Sequence, residues 1–426
     1  MSNNDGEISK VKTLLKLRAN RYVTASLASI TVIIFYYLQT ITSWLGLSLS
    51  EVRGHSKYID QASILNSAKC FKLYGIDIYE IESVPKGCGG FQHSTELLRF
   101  LNITNLSDLG TEKLGNFFMW LTVLTLCSIF FLIKRFGKSE NLIALIALVS
   151  PGIWLLLERG NYDEVIFCLV AIGGFFVTSR YQFLGMFLIT ITVLINFYTL
   201  PAFLIAALYL RNRTLRRICL VSSVPLSLYS MFLISRVEAL PSNWRISFGL
   251  ESIGLYLQLA IDYFINSKVT FSTFIVMIPG LLLLAVIYRF MTRIEITASL
   301  YTIDGKRNQT STLYTIILMV FLSCYFSGMS FDYRLIFLAT LLGLSPLVFR
   351  QNRFKAVMVV SGLFSLYFST FSYGLRGIPA AGIQVLGDIA VAVFVATQLI
   401  YLRQNFVNEE LSRATFAAEI KTIWCK

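Results

Sequence analysis

Four ionisable side chains stand within seven positions of one short segment, LERGNYDEVIF, at residues 157–167. They are Glu158, Arg159, Asp163 and Glu164, and the segments on either side are apolar enough to cross a bilayer. Charged side chains at membrane depth are costly and usually functional. A guanidinium binds a phosphate or carboxylate through two parallel hydrogen bonds, and a carboxylate can accept a proton. The segment therefore predicts a site for an anionic ligand.

Polar residues of the same types occur in three other places. Asp60 lies in a long early loop, Tyr198 in NFYTLP, and Asp332 and Arg334 in MSFDYR. Each acid near the start of a predicted helix also has a structural explanation, because negative charge there suits the helix dipole. The arginines are harder to explain by helix capping. A lipid phosphate held between them accounts for the pattern.

The composition indicates that these residues belong to a membrane protein. Hydrophobic residues make up 55% of the 426-residue chain and charged residues only 14%, and the mean hydropathy is +0.66. A soluble domain is about one quarter charged, so this chain needs lipid as its solvent. The net charge of +13 is explained by basic cytoplasmic loops and does not indicate a nucleic-acid partner.

The hydropathy pattern predicts an all-α, polytopic fold with about twelve membrane spans. Several spans are shorter than the roughly 20 residues of a perpendicular crossing, and 181–210 could be one kinked hairpin. The predicted spans cover approximately residues 22–45, 115–134, 141–157, 164–179, 181–197, 200–210, 217–235, 271–289, 312–328, 334–349, 355–371 and 381–402.

The positions of the basic residues orient this map. Most of the 37 Lys and Arg residues fall in segments that are cytoplasmic if the N-terminus is inside, as the positive-inside rule requires. We therefore expect cytoplasmic segments at 1–21 and 403–426, a transmembrane domain at 22–402, and an inner-membrane location. The candidate site residues then all face the outer, periplasmic side.

The first external loop, residues 46–114, is far longer than a helix connection needs, and such loops are usually functional or disordered. Helical spacing of apolar residues in 58–75 and 94–103 predicts two short helices. Cys70 and Cys88 could pair if the loop faces an oxidising compartment. His55 and His93 lack metal-ligand spacing, so no metal site is assigned.

Three of these segments together resemble the GT-C class of membrane glycosyltransferases, and most closely glycosyltransferase family 87. They are ERGNYD, the run DQASILNSAKCFKLYGIDIY at 60–79 with its Gly75 and Tyr79, and DYRLIFL. The family includes mannosyltransferases that use polyprenol-phosphate mannose. One position departs from the family pattern, because Asn196 stands where a basic residue is expected before the aromatic–Pro turn.

The resemblance implies an inverting hexosyltransferase that moves a sugar from a polyprenyl-phosphate donor to a lipid or glycan acceptor. Asp60 would be the general base, with Glu51 as its rival. Arg159 and Arg334 would stabilise the departing phosphate. The remaining candidates, which would bind the sugar or orient the arginines, are Asn161, Asp163, Tyr198, Glu158 and Asp332. Whether a divalent cation is needed stays open.

Two other classes of function fit parts of the pattern. An O-antigen-type polymerase or ligase also handles polyprenyl-linked glycans outside the membrane, although its long external loop is expected late in the chain. A lipid or solute transporter would also have about twelve spans, usually with two similar halves. No repeat relates the halves of this chain, and charges are scarce at mid-span positions. Asp388 is the exception, and it could be a proton site or could pair with Arg376.

Overall fold

A computed structural model gives the architecture of most of the chain. The residues it describes are 26, 30, 33, 58–74, 95–132, 138–236, 247–265, 273–293, 309–327, 330–331, 334–348, 352–371 and 378–408. Predictions that concern Glu51, His55, His93, Cys88 and Asp332 therefore lie outside the described residues.

The described part of the chain is almost entirely α-helical, which confirms the predicted all-α class. Two 3₁₀ turns, Leu106–Asp108 and Phe197–Thr199, and two two-residue strands, β1 (Ser247–Phe248) and β2 (Ser330–Phe331), interrupt the helices. The helices are α1 Ile59–Tyr74, α2 Thr95–Ile103, α3 Thr111–Leu132, α4 Lys138–Leu148, α5 Pro151–Arg159, α6 Asp163–Val177, α7 Gln182–Ile195, α8 Leu200–Tyr209, α9 Arg213–Arg236, α10 Leu250–Ile265, α11 Thr273–Arg293, α12 Gln309–Phe326, α13 Leu335–Val348, α14 Asn352–Phe371 and α15 Ile378–Asn408.

Within the described residues, three helices are long and apolar enough to cross a membrane. They contain the windows Ile275–Thr292, Gln309–Phe326 and Gly382–Arg403. A fourth crossing is formed if Leu142–Leu148 and Pro151–Arg159, which meet at a 41° bend, count as one span. The chain is thus a membrane protein by these helices, while the predicted number of twelve spans is not established.

The centre of the bundle is formed by α12 and α13. Tyr314, Phe321 and Phe337 are fully buried there. The ring of Phe321 stacks on Phe248 of β1 at 6.0 Å and meets Phe394 of α15 edge-on at 5.6 Å. Large buried aromatic rings contribute most of the packing energy of such a core, and here they join helices from the second half of the chain to β1.

The outer faces of several helices are apolar. On α9 and α11, for example, Val221, Leu228, Leu282 and Val286 each expose more than 60% of their surface. In water this exposure would be a liability, whereas lipid tails solvate such side chains without penalty. The distribution agrees with a bundle whose perimeter faces the bilayer.

Both helices predicted in the first external loop are present. They are α1 and α2, which pack together through a small core that includes Ile64, Leu98 and Leu101. Asn102 of α2 strengthens the contact, because its side-chain amide donates to the Ala68 carbonyl at 2.9 Å. The loop therefore has a core of its own beside the membrane bundle.

The sequence pattern missed α10, because residues 250–265 were assigned to no span. This helix packs on α11 and α15, and its close approach to α11 depends on Gly254. A Cβ atom at Gly254 would lie 1.8 Å from the carbonyl oxygen of Val276. Small residues at a helix interface permit such backbone contact in membranes.

We expect Gly254→Ala to destabilise the protein by about 1–3 kcal/mol, the usual range for overpacking, because α10 and α11 would have to separate. The measurement is thermal unfolding of the purified protein in detergent. Gly382→Ala is the matched control, since a Cβ at this helical glycine meets nothing within 4 Å. Equal melting temperatures for the two variants would contradict the close packing of α10 on α11.

Candidate functional site

The site is built around an ion pair between the first loop and the bundle. Arg159 donates from Nε to Asp60 Oδ2 at 2.8 Å and from Nη2 to Asp60 Oδ1 at 2.5 Å. This is the two-bonded arrangement that a guanidinium and a carboxylate favour. The Asp60 side chain is 2% exposed and the Arg159 side chain 19%, so the pair lies largely out of solvent.

Local backbone geometry brings the two partners together. Arg159 is the last residue of α5, and Gly160 ends that helix in the left-handed conformation, with φ of 62°, which glycine adopts readily. Tyr58, just before α1, also has a positive φ of 60°. Its backbone N–H donates to the Glu158 carbonyl at 2.9 Å, which fixes the start of α1 against the end of α5.

The ring of Tyr58 fills the space between these segments. It lies against Gly160 and Gly115, where added Cβ atoms would come within 2.8 Å and 2.4 Å of ring carbons. Its hydroxyl donates to Asn116 Oδ1 of α3 at 2.5 Å. Tyr58 thus positions Asp60, and neither the residue type nor its spacing in the sequence indicated this role.

Asn161 connects the first ion pair to a second one. Its side-chain Nδ2 donates to Asp60 Oδ2 at 2.9 Å, and its Oδ1 accepts from the backbone N–H of Asp163 at 3.0 Å. Asp163 is the first residue of α6, so Asn161 also satisfies one of the N–H groups that a helix start leaves unpaired. One amide side chain therefore links Asp60 to the start of α6.

The second ion pair joins α6 to the start of α13. Arg334 Nε donates to Asp163 Oδ2 at 3.1 Å, and the Tyr198 hydroxyl donates to Asp163 Oδ1. The Arg334 guanidinium also lies over the Tyr198 ring, 4.7 Å from its centroid, in a cation–π contact. Asp163 is fully buried, whereas the Arg334 side chain is 15% exposed.

Burial raises the pKa of the Tyr198 hydroxyl well above its usual range, and the negative charge of Asp163 raises it further. The hydroxyl therefore keeps its proton and acts as a donor to Asp163. A neighbouring pair supports the same turn, because Asn196 Nδ2 donates to the Tyr162 hydroxyl at 2.8 Å. Asn196, which departs from the family pattern, thus has a structural contact here.

The structure brings together six of the predicted site residues. Two other acids of the opening segment make contacts elsewhere as well. Glu158 contributes its backbone carbonyl to Tyr58, and Glu164 faces α3, where Thr122 Oγ1 donates to one of its carboxylate oxygens at 3.2 Å. The six residues in the network are Asp60, Arg159, Asn161, Asp163, Tyr198 and Arg334.

Two further predictions receive partial answers. Cys70 is disulfide-bonded, but Cys88 lies outside the described residues, so the pairing of the two stays a prediction. Within the described part of the chain, no group of three or more His, Cys, Asp or Glu residues could hold a metal ion.

The network balances two carboxylates with two guanidiniums. Removing one partner of a buried pair leaves an uncompensated charge and is strongly destabilising. A second anion can compete for the same guanidinium, since carboxylates and phosphates bind it in the same geometry. The arrangement can therefore fix α1 on the bundle and can also exchange a carboxylate for a ligand phosphate.

Comparisons of the chain with protein-family models, with curated proteins and with solved structures found no match in any of the three. The site residues and their contacts therefore carry the functional argument.

We expect Asp60→Asn to lower the free energy of unfolding by about 3 kcal/mol, the lower end of the range for a broken buried pair, since Arg159 keeps some solvent. Asp108→Asn is the matched control, because its pair with Lys72 is about half exposed on both sides and should contribute less than about 1 kcal/mol. Thermal unfolding measures the loss of stability in each single variant. A double-mutant cycle of Asp60→Asn with Arg159→Gln then gives the coupling energy of the Asp60–Arg159 pair. Equal losses of unfolding free energy in Asp60→Asn and Asp108→Asn would contradict a buried pair between Asp60 and Arg159.

Proposed function

We propose that this protein is an integral membrane glycosyltransferase that transfers a sugar from a polyprenyl-phosphate donor to a lipid or glycan acceptor at the outer face. The observation that carries the proposal is the meeting of Asp60, Arg159 and Arg334 in one network. These residues come from distant parts of the chain, and they are the three to which the family resemblance gives catalytic roles.

The residue types match the bond changes of an inverting transfer. The acceptor hydroxyl oxygen attacks the anomeric carbon, and the bond from that carbon to the phosphate oxygen breaks. The polyprenyl phosphate leaves with the bonding electron pair, and Asp60 takes the proton of the acceptor hydroxyl. Two guanidiniums near the departing phosphate stabilise the charge that develops on it.

The pairing of Asp60 with Arg159 gives this proposal a specific order of events. Two guanidinium hydrogen bonds and one amide hydrogen bond occupy the oxygens of the Asp60 carboxylate. A donor phosphate that binds Arg159 would compete with Asp60 for the same N–H groups. Donor binding would then loosen Asp60 and make its oxygen available to the acceptor hydroxyl.

The second ion pair has a supporting role in the same scheme. Asp163 and the Tyr198 ring hold Arg334 from two sides, which fixes the direction of the guanidinium before the donor arrives. Fixed donors stabilise developing charge without reorganisation. Asn161 joins Asp60 to Asp163 at the start of α6. Since Asp163 binds Arg334, the proposed base and the second arginine belong to one hydrogen-bonded network.

We expect wild-type protein in detergent to transfer sugar from one member of a panel of radiolabelled polyprenyl-phosphate sugars to a membrane lipid extract. Asp60→Asn should lower that rate by about 10²- to 10⁴-fold, the usual contribution of a general base. Donor binding, measured by filter retention of the same label, should persist, because both arginines remain.

The results separate the alternatives. Transfer that persists in Asp60→Asn would keep the enzyme class and move the base elsewhere, with Glu51 the next acid to replace. If the wild type neither binds nor consumes any donor, the glycosyltransferase proposal fails, and assays of lipid or solute transport in liposomes become decisive.

We expect Arg334→Lys to lower the rate of transfer by about 10²-fold, within the range found when one donor to a developing charge is removed. Lysine keeps the positive charge but lacks the planar guanidinium group, which in Arg334 lies over the Tyr198 ring. Arg403→Lys is the matched control, since exposed Arg403 also approaches a tyrosine hydroxyl, that of Tyr288, at 3.5 Å. Equal rates in both variants would exclude Arg334 from the chemistry.

A further inference from the structure

A second acidic position lies inside the helix bundle, away from the two ion pairs. Asp388 is on α15, within the membrane-crossing window Gly382–Arg403, and is 1% exposed. Neither of its carboxylate oxygens has a hydrogen-bond partner, and no salt bridge reaches it from the described residues. Buried polar groups are nearly always satisfied, so each exception requires an explanation.

The neighbouring hydroxyl of Ser252 already has a backbone partner. Ser252, on α10, is fully buried, and its Oγ donates its single hydrogen to the Gly249 carbonyl at 2.7 Å. Ser252 neighbours the carboxylate of Asp388, and its Oγ also has lone pairs that can accept a hydrogen bond or bind a cation.

Two tyrosines complete the surroundings of Asp388. Tyr256 follows Ser252 by one turn of α10 and also neighbours the carboxylate. Tyr325 of α12 is close enough to the Asp388 carboxylate to interact with it electrostatically. The Tyr325 hydroxyl is another buried group without a hydrogen-bond partner among the described residues. The unsatisfied atoms thus come from more than one helix, and all of them are oxygens that can accept a hydrogen bond or bind a cation.

We propose that Asp388 and Ser252, with Tyr256 and Tyr325 around them, form a buried site for one small monovalent cation, either a proton or Na⁺. A proton on Asp388 could be donated to Ser252 Oγ, and Na⁺ could bind the same oxygens directly. Either cation removes a lone negative charge from the interior of the bundle, where an ionised carboxylate is very costly.

This site is independent of the proposed transfer reaction. Its residues are on α10, α12 and α15, whereas the outer network uses α1, α5, α6, α13 and the turn that carries Tyr198. Failure of either proposal therefore leaves the other untouched. The experiments also share no readout, because cation occupancy is measured without donor or acceptor.

The test uses the full-length purified protein in detergent. Infrared difference spectra between wild type and Asp388→Asn, taken in sodium-free buffer at neutral pH, should contain the carbonyl band of a protonated carboxylic acid if the cation is a proton. Equilibrium binding of radioactive Na⁺ should saturate at one ion per chain, and be lost in Asp388→Asn, if the cation is sodium. Asp108→Asn should change neither measurement.

Ser252→Ala tests the geometry separately. It should shift the carboxylic acid band to higher frequency, because the O–H loses its acceptor, or should weaken Na⁺ binding if sodium is the occupant. Asparagine has the size of a neutral aspartic acid, and a melting temperature near that of the wild type verifies that Asp388→Asn folds. The absence of both the carboxylic acid band and saturable Na⁺ binding in the wild type would overturn the proposal.

Discussion

The ion pair between Asp60 and Arg159 is the constraint on which the attachment of α1 to the bundle depends. The pair joins α1, which belongs to a loop with its own small core, to the membrane bundle. The backbone N–H of Tyr58 donates to Glu158 beside Arg159, and Asn161 donates to the Asp60 carboxylate. A buried pair of this kind adds little net stability over an apolar contact of the same shape, yet it is costly to break on one side. Stability alone therefore does not explain its presence where an apolar contact would suffice, and the proposed transfer reaction would use its exchangeable charge.

The types of the site residues could be predicted from the sequence because membrane depth makes charge conspicuous. Against the apolar background of this chain, Arg159, Asp163 and Arg334 stood out without any knowledge of their contacts, and the map of basic loops placed them on one side. Helical spacing was equally informative in the first loop, where both predicted helices, α1 and α2, are present. Both predictions depend on local sequence patterns. A bilayer requires a segment to be apolar, and a helix requires apolar residues at helical spacing, so each pattern can be recognised within one segment.

The partners of these residues could not be predicted, since pairing is a property of the tertiary fold. The sequence suggested arginines poised for phosphate, whereas each has a carboxylate as its partner, supplied in one case by α1 and in the other by α6. The role of Tyr58 depends on a left-handed backbone conformation that an ordinary residue rarely adopts. Helix α10 was missed because Glu251, Gln258 and Asp262 dilute its apolar character, and the number of spans is uncertain because many helices are shorter than a perpendicular crossing.

The two polar sites bury their acids in opposite ways, and this contrast suggests a division of roles. In the network of Asp60 and Asp163, each carboxylate is matched by a guanidinium, which cannot lose its proton in a protein, so the local charge is fixed. At Asp388 none of the described residues supplies a permanent cation, so the proposed neutralising cation can exchange. The strands tie the two regions together, because β1 precedes the helix that carries Ser252 and pairs with β2, which lies just before Arg334.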